Sequence, residues 1–396
     1  LSQNLKNEMS SSREIVKKVL FNKTEGFNNS IIWEESLNSW VIVNNQTAKI
    51  VLNSSDFTAN RKRQFIDKLD ASYEQKLILK DFYSNWLMYM EGDDHKSLRK
   101  KIQKPVSKIR KKIQEISEEA TNEILSVINK EEFNAISDIV KPYSNLVLSK
   151  IFGLSISDYQ NILKVSTEAV NFLWNPNPTE TDIEPTVESI LKTTSYINKI
   201  IDDKNYNEDG LFNLMLQNIS VESEFIIALI NMVIDGHEPF QSSLSNLIFY
   251  YIHIKEKAGF EMADKDLVNE SIRIEPPFSY CARECVNHTY IEGNKINSGD
   301  RLMVVLYVSN NIDEFEKNYK TENCEYSNKN NFSFGHGMHY CLGAQITLLS
   351  LEKFIEIFKQ MDDQYKWQVN DYSSETSYGF KSIIDLNIVT EEIYVK

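Results

Sequence analysis

The sequence predicts a mainly α-helical chain with a minor β part, folded as a single domain over residues 1–396. Three observations predict this. Apolar residues recur at helical spacing through most of the chain, only two stretches alternate as strands do, and neither an internal repeat nor a Pro/Gly/Ser linker divides it. Length by itself allows one large domain or two to three ordinary ones.

The elements follow in order. WVIVNNQTAKIVL (40–52) alternates, is β-branched and carries Asn-Asn-Gln at its centre, which predicts a hairpin leading into a helix. Val106, Ile109, Ile113 and Ile116 mark a helix near 107–130. IVKPYSNLVLSKIFG (139–153) is another, stopped at Gly153. Residues 222–257 form a very long helix, apolar nearly all round in its first half, and such a helix runs through a core. YIEGNKINSGDRLMVVLYV (290–308) predicts two short strands with glycine turns. AQITLLSLEKFIEIF (344–358) returns to helical spacing.

Bulk composition narrows the function classes. The 41% of apolar residues, with 20 Phe and 19 Tyr, suffices for a large aromatic core. A net charge of -14 argues against general nucleic-acid binding, which needs Lys and Arg to neutralise phosphates. Four cysteines, Cys281, Cys285, Cys324 and Cys341, make no disulfide framework in a chain of this length, and no CxxC pair suggests zinc. A reducing cytoplasm fits. The first twenty residues lack the apolar core of a signal peptide, and no run of 18 apolar residues predicts a membrane span.

The densest chemistry lies at FSFGHGMHYCLGAQI (332–346), where three glycines and two histidines fall within eight residues of one cysteine. Cys341 follows a glycine-rich loop and precedes a helical pattern. Unpaired N–H groups at a helix start stabilise an anion, so a cysteine there leans towards thiolate. Gly335, Gly337 and Gly343 allow tight turns and close approach to a flat ligand. His339 can donate to an anionic group beside the sulfur. Three readings follow from the residues alone: a buried inert cysteine, a nucleophile with a histidine base, or a thiolate ligand to heme iron.

FGHGMHYCLG resembles the heme-binding loop of the cytochrome P-450 family, F-G-x-G-x-(H/R)-x-C-x-G. Phe334, Gly335, Gly337, His339, Cys341 and Gly343 fill every fixed position. The resemblance extends in order along essentially the whole chain. ESIRIEPP (270–277) resembles the family's E-x-x-R helix, whose pair Glu270 and Arg273 is implied to be a buried scaffold for the heme loop. DDHKSLRKK (93–101) resembles its H-x-x-x-R helix. The resemblance implies that His95, Arg99, Arg283 and His339 neutralise the heme propionates, a task that suits guanidinium forks. WVIVNNQTAKIVLNSSDF and SKIFGLSISDY match family elements of fold only.

Two departures stand out. The family has A/G-G-x-D/E-T over the heme, where the acid and threonine help deliver protons. In VIDGHEPFQSSLSN (233–246), Gly236 and Glu238 match, but Pro239 replaces the threonine and supplies no hydroxyl. Proline inside a helix costs ~3 kcal/mol or more, so a kink is expected there. A substrate hydroxyl or ordered water is the favoured substitute, with Glu238 as the acid. Ser242, Ser243 or peroxide chemistry are the others. His237 reads as a packing or surface residue. The second departure is Asn311 in SNNIDEF, together with ENCEYSNKNNF, where the arginine that joins the Glu–Arg pair is missing.

The resemblance implies an α-helical prism with small β-sheets, a cofactor of heme b (iron protoporphyrin IX) and Cys341 as its axial ligand. It implies a monooxygenase that inserts one oxygen atom from O2 by hydroxylation or epoxidation. Electrons would come from a ferredoxin and a ferredoxin reductase. The chain is expected to be a cytoplasmic monomer acting in secondary metabolism, on a small organic substrate either free or held on a carrier protein. Family position suggests substrate contacts from Trp86, Trp174, Ile234, Phe240, Phe278, Tyr280 and Phe380, with Tyr83, Met88, Phe172 and the 378–380 turn nearby. The basic stretch KSLRKKIQKPVSKIRKK (96–112) is either a solvated face or a dock for an acidic electron donor. Rival readings are a peroxide-driven peroxygenase, a non-catalytic heme sensor or carrier, and a cysteine hydrolase. The last is weak because Cys341 and His339 are two residues apart and do not naturally face each other.

Overall fold

In a computed structural model, the described residues are 30–60, 66–126, 128, 131–175, 178–258, 262–310, 331–377 and 380–392. The N-terminal twenty residues, Cys324, Asn311, most of ENCEYSNKNNF, Tyr378 and the Trp174 side chain lie outside them. Helices α1 Asn45–Asn53, α2 Tyr73–Ser84, α3 Gly92–Leu125, α4 Lys141–Phe152, α5 Ile156–Val165 and α6 Thr167–Trp174 come first. They are followed by α7 Glu180–Asp202, α8 Leu211–Leu216, α9 Glu222–Ala258, α10 Asp264–Ile274 and α11 Ala344–Gln360. Strands are β1 Ile31–Glu34, β2 Ser39–Ile42, β3 Phe57–Thr58, β4 Glu132–Asn134 and β5 Tyr280–Cys285. The rest are β6 Thr289–Ile291, β7 Asn294–Ile296, β8 Arg301–Val305, β9 Tyr365–Ser377 and β10 Phe380–Glu392. The fold is mainly helical with small sheets, as the sequence predicts.

Two compact units emerge. The first comprises Leu1–Ala59, Asn269–Cys341 and Ser373–Ile384. It holds a five-stranded sheet in the order β1-β2-β8-β5-β3. β1 pairs antiparallel with β2 (Ile31↔Ile42), while β8 runs parallel to β2 (Trp40↔Leu302) and antiparallel to β5 (Arg283↔Leu302). One sheet face and α1 share a core of Ile42, Val51, Leu52, Leu302, Val304 and Phe332.

The 40–52 hairpin expectation is corrected here. Its first half is β2, whose hairpin partner is β1, and its second half is α1. The Asn44 side chain accepts from the N–H groups of Gln46 (2.8 Å) and Thr47 (3.3 Å), an N-cap that starts a helix where alternation suggests a strand. The 290–308 stretch likewise holds three strands, and residues 306–310 turn helical.

The second unit comprises Asn60–Val268, Leu342–Tyr372 and Asp385–Lys396. The apolar stripe of α3 packs on α4 and α11. Tyr143 is buried between Phe240 and Phe354, and its hydroxyl donates to the Ser350 carbonyl at 3.1 Å. Gly153 ends α4 at φ +73°, and a Cβ there would meet the Gly210 Cα at 2.7 Å. Only glycine tolerates both the conformation and the approach. The long α9 runs without interruption through Pro239. No helix among the described residues is long and apolar enough to cross a membrane.

Candidate functional site

In the first unit, the Cys341 loop is shaped by its own backbone. The Cys341 N–H donates to the Phe334 carbonyl at 2.8 Å, and the Gly335 N–H to the Phe332 carbonyl at 2.8 Å. Gly335 and Gly337 lie at φ +72° and +67°, where side chains are strained. A Cβ on Gly337 would collide with the Asn53 side chain at the end of α1. The loop thus turns back tightly and leaves the Cys341 thiol exposed, two residues before the Gly343 cap of α11. Burial, and the charge of Cys341 beside it, push the Tyr340 phenol up.

The support beneath this loop is a buried polar network. Arg273 Nε donates to Glu270 Oε2 at 2.8 Å and its Nη2 to Oε1 at 2.6 Å, a bidentate pair almost closed to solvent. Its Nη1 donates to the Asn310 carbonyl at 2.8 Å. The Asn310 amide donates to the Arg273 carbonyl and to Ser333 Oγ, and its Oδ1 accepts from the Phe332 N–H at 2.8 Å. Ser333 Oγ donates to the Ile272 carbonyl at 2.8 Å. Asn310, neighbour of the Asn311 singled out in the sequence, therefore ties Arg273 to the start of the cysteine loop without an arginine. Sequence reasoning missed both Asn310 and Ser333, since only the family's arginine was sought.

Arg283 is buried on β5 and donates to the Ala282 carbonyl at 2.9 Å. Phe278 and Phe380 meet with ring centroids 4.4 Å apart, while Tyr280 is half-buried on β5. His339 lies within a single 3-10 turn, Gly337–His339.

In the second unit, His95 and Arg99 share a face of α3, His95 buried and Arg99 half-buried. Burial, and then the Arg99 charge, lower the His95 pKa, while Glu91 opposes this. Lys101 and Lys112 of the basic stretch pair with Glu224 and Asp209, each at 2.8 Å. Phe240 and Ile234 are core residues, Phe240 stacked on Tyr143. Tyr83 is also core: its hydroxyl donates to the Ala169 carbonyl at 2.7 Å and its ring stacks on Phe172.

The middle of α9 contains a group that the sequence reading passed over. Asp235 Oδ2 accepts from Trp86 Nε1 at 2.8 Å and from Asn231 Nδ2. Asn231 Oδ1 accepts the Leu87 N–H at 3.3 Å. The sequence signal was present, because Asp235 occupies the small-residue position of A/G-G-x-D/E-T. Burial pushes its carboxyl up to about 7, partly offset by the Trp86 and Asn231 donors. Among the described residues, a Cβ on Gly236 would meet no atom within 4 Å, so the helix there borders open space. Glu238 is exposed, and partial loss of hydration raises its carboxyl. His237 is a packing residue: its Nδ1 meets the Tyr159 hydroxyl at 3.2 Å, and burial lowers its pKa to about 4. Ser242 and Ser243 are buried.

No family model matches the chain. It is 22% identical to cytochrome P-450(BM-1) of Priestia megaterium over 380 residues, 90% of each chain. It is 24% identical to the polyketide biosynthesis cytochrome P-450 PksS of Bacillus subtilis over 319 residues, 73% of this chain and 76% of that one. Among solved structures, CalO2 aligns with a TM-score of 0.79 at 14% identity, covering 98% of both chains. P-450 BioI, in complex with hexadec-9Z-enoic acid ligated acyl carrier protein, aligns with a TM-score of 0.76 at 18% identity, covering 96% and 100%. With every fixed position of the cysteine loop filled, its Glu–Arg support assembled and relatives matched along nearly the whole length, the chain is similar to bacterial cytochromes P-450 in sequence and shares their fold.

Proposed function

We propose that this chain is a cytochrome P-450 monooxygenase that carries heme b on Cys341 and oxidises a natural-product intermediate presented on a carrier protein. The family brings a heme iron, and the donor set here suits one. Among the described residues no cluster of three or more His, Cys, Asp or Glu gathers as for a protein-only metal site. One exposed thiol on a glycine-turned loop would suffice to hold an iron that its porphyrin already binds. When bound, a heme held by the Cys341 thiolate would supply the oxygen-activating chemistry that places one oxygen atom in a C–H or C=C bond.

The chain's own residues do the rest. Cys341 would hold the iron. Arg283 and His339, with His95 and Arg99, are the donors assigned to the propionates by the family motif, and buried carboxylates need such partners. Glu270, Arg273 and Asn310 hold the loop that carries Cys341. Glu238, exposed beside Gly236, exchanges protons with solvent. The exposed basic residues among 96–112 form the docking face for an acidic ferredoxin, itself reduced by a ferredoxin reductase. Carrier-bound delivery is supported by the likeness to BioI in its acyl carrier protein complex and to PksS.

The exposed Cys341 thiol in its fully matched loop carries this reading. Reducing the heme-loaded protein under carbon monoxide tests it. The red-shifted absorption of an axial thiolate is expected in the native chain and should vanish in Cys341→Ser. A native chain without that absorption refutes the assignment.

A further inference from the structure

Pro239 removes two things from α9. The hydroxyl expected at that position is gone, and with no N–H on Pro239 the Asp235 carbonyl loses its helical donor. One turn earlier, the Asp235 carboxyl occupies the same face as residue 239. Its Oδ2 is fixed by two donors, Trp86 from the segment before α3 and Asn231 from the previous turn of α9. Its Oδ1 is also buried, and among the described residues it has no hydrogen-bond partner. A buried ionised carboxylate with one bare oxygen is unfavourable, whereas a neutral acid can hold its proton on that oxygen. The adjacent Gly236 borders open space. Ser242 and Ser243, the alternatives that chain position suggests, are buried seven and eight residues beyond Asp235.

We propose that Asp235 is the proton donor of this enzyme, holding on Oδ1 the proton that a threonine hydroxyl at 239 would relay, with Trp86 and Asn231 as its positioning residues. The proposal rests on the heme-thiolate reading. In the overall reaction RH, O2, two electrons and two protons give ROH and water, the electrons coming from a reduced iron–sulfur protein. Asp235 gives one of the two protons to the oxygen atom that leaves as water. Its carboxylate is then held by the Trp86 and Asn231 donors. Glu238, three residues on and exposed, returns the proton from solvent. The raised pKa of Asp235 agrees with this role, and it arises from burial with no charged group contributing. The titratable neighbours along α9 are His237 and Glu238. The segment carrying Trp86 adds the phenols Tyr83 and Tyr89 and, before α3, Glu91.

Asp235→Asn keeps an oxygen to accept from Trp86 and Asn231 but has no proton to give. In the heme-loaded variant the thiolate–carbon monoxide absorption should be unchanged. Product formation should fall by roughly a hundredfold while electron consumption continues and hydrogen peroxide accumulates. Resting protein, without turnover, offers a second readout. Infrared difference spectra across neutral pH should show a buried neutral carboxyl that is lost in Asp235→Asn. Trp86→Phe removes a donor that favours the ionised form, so the midpoint of that band should move to higher pH, and Asp235→Glu should restore part of the product yield. Unaltered coupling in Asp235→Asn, or an infrared carboxyl band that survives it, overturns the proposal. Loss of the thiolate absorption in the native chain would instead overturn the heme reading.

Discussion

Two buried carboxyl groups mark the contrast between the cysteine-loop scaffold and the middle of α9. Glu270 meets Arg273 through two charge-assisted hydrogen bonds, so each buried charged group is answered by the other. Among the described residues, Asp235 meets only the neutral donors of Trp86 and Asn231 and keeps one oxygen bare. The first arrangement fixes a backbone. The second stores a proton. Burial is common to both, so the partner decides whether a buried acid serves as structure or as chemistry.

The largest effect should come from breaking the answered pair. Glu270→Ala strands the Arg273 guanidinium in the interior, and losing one member of a buried pair costs about 3–5 kcal/mol. Denaturant unfolding of the heme-loaded protein reads that loss, and the thiolate absorption should weaken with it as the loop loosens. An effect below about 1 kcal/mol, typical of an exposed pair, would show that Glu270 and Arg273 do not act as a buried scaffold.

Asp235→Asn should behave in the opposite sense. The native-state pKa lies above the ordinary carboxylate value, so between about pH 4 and pH 7 the unfolded chain releases a proton that the folded chain retains. Folding stability of the native chain therefore falls across that window and is level above it. The asparagine variant carries no such term. Its stability relative to the native chain should rise by roughly 3 kcal/mol from mildly acidic to mildly alkaline pH, as read by parallel denaturant titrations. A pH-independent difference would mean that Asp235 titrates normally.

Legibility in the sequence divides along the same line. The cysteine loop, the Glu270–Arg273 spacing, the stop at Gly153 and the length of α9 are local patterns, and each appears where the residues put it. Asp235 shows in the sequence only as an acid at the small-residue position of A/G-G-x-D/E-T, and its meaning comes from Trp86, 149 residues away. Asn310 was missed for a related reason. A neutral amide can supply the donors and acceptors that an arginine would, but nothing near it in the chain advertises the role. The 40–52 stretch misled through its alternation, which Asn44 interrupts by capping a helix.

A smaller cost should attend Gly337→Ala. The new methyl group meets the Asn53 side chain, and the residue already sits at φ +67°. Overpacking typically costs 1–3 kcal/mol. Thermal unfolding should report about that much, with the carbon monoxide adduct retained because Cys341 itself is untouched. The corresponding change on the other side of the comparison, Gly236→Ala, meets nothing and should leave the melting temperature almost unchanged.

The smallest effects test whether the scaffold works as a unit. Ser333→Ala removes one donor to the Ile272 carbonyl and one acceptor for Asn310, a loss of about 1 kcal/mol. Asn310→Ala leaves the Phe332 N–H without its acceptor and should cost about 1–3 kcal/mol. Because Ser333 and Asn310 share a hydrogen bond, the double variant should cost less than the sum, with a coupling of at least about 0.5 kcal/mol. Strict additivity in denaturant unfolding would show that the two residues act separately. The cysteine loop would then be held by the Glu270–Arg273 pair alone, and the amide that replaces the family's arginine would be packing rather than support.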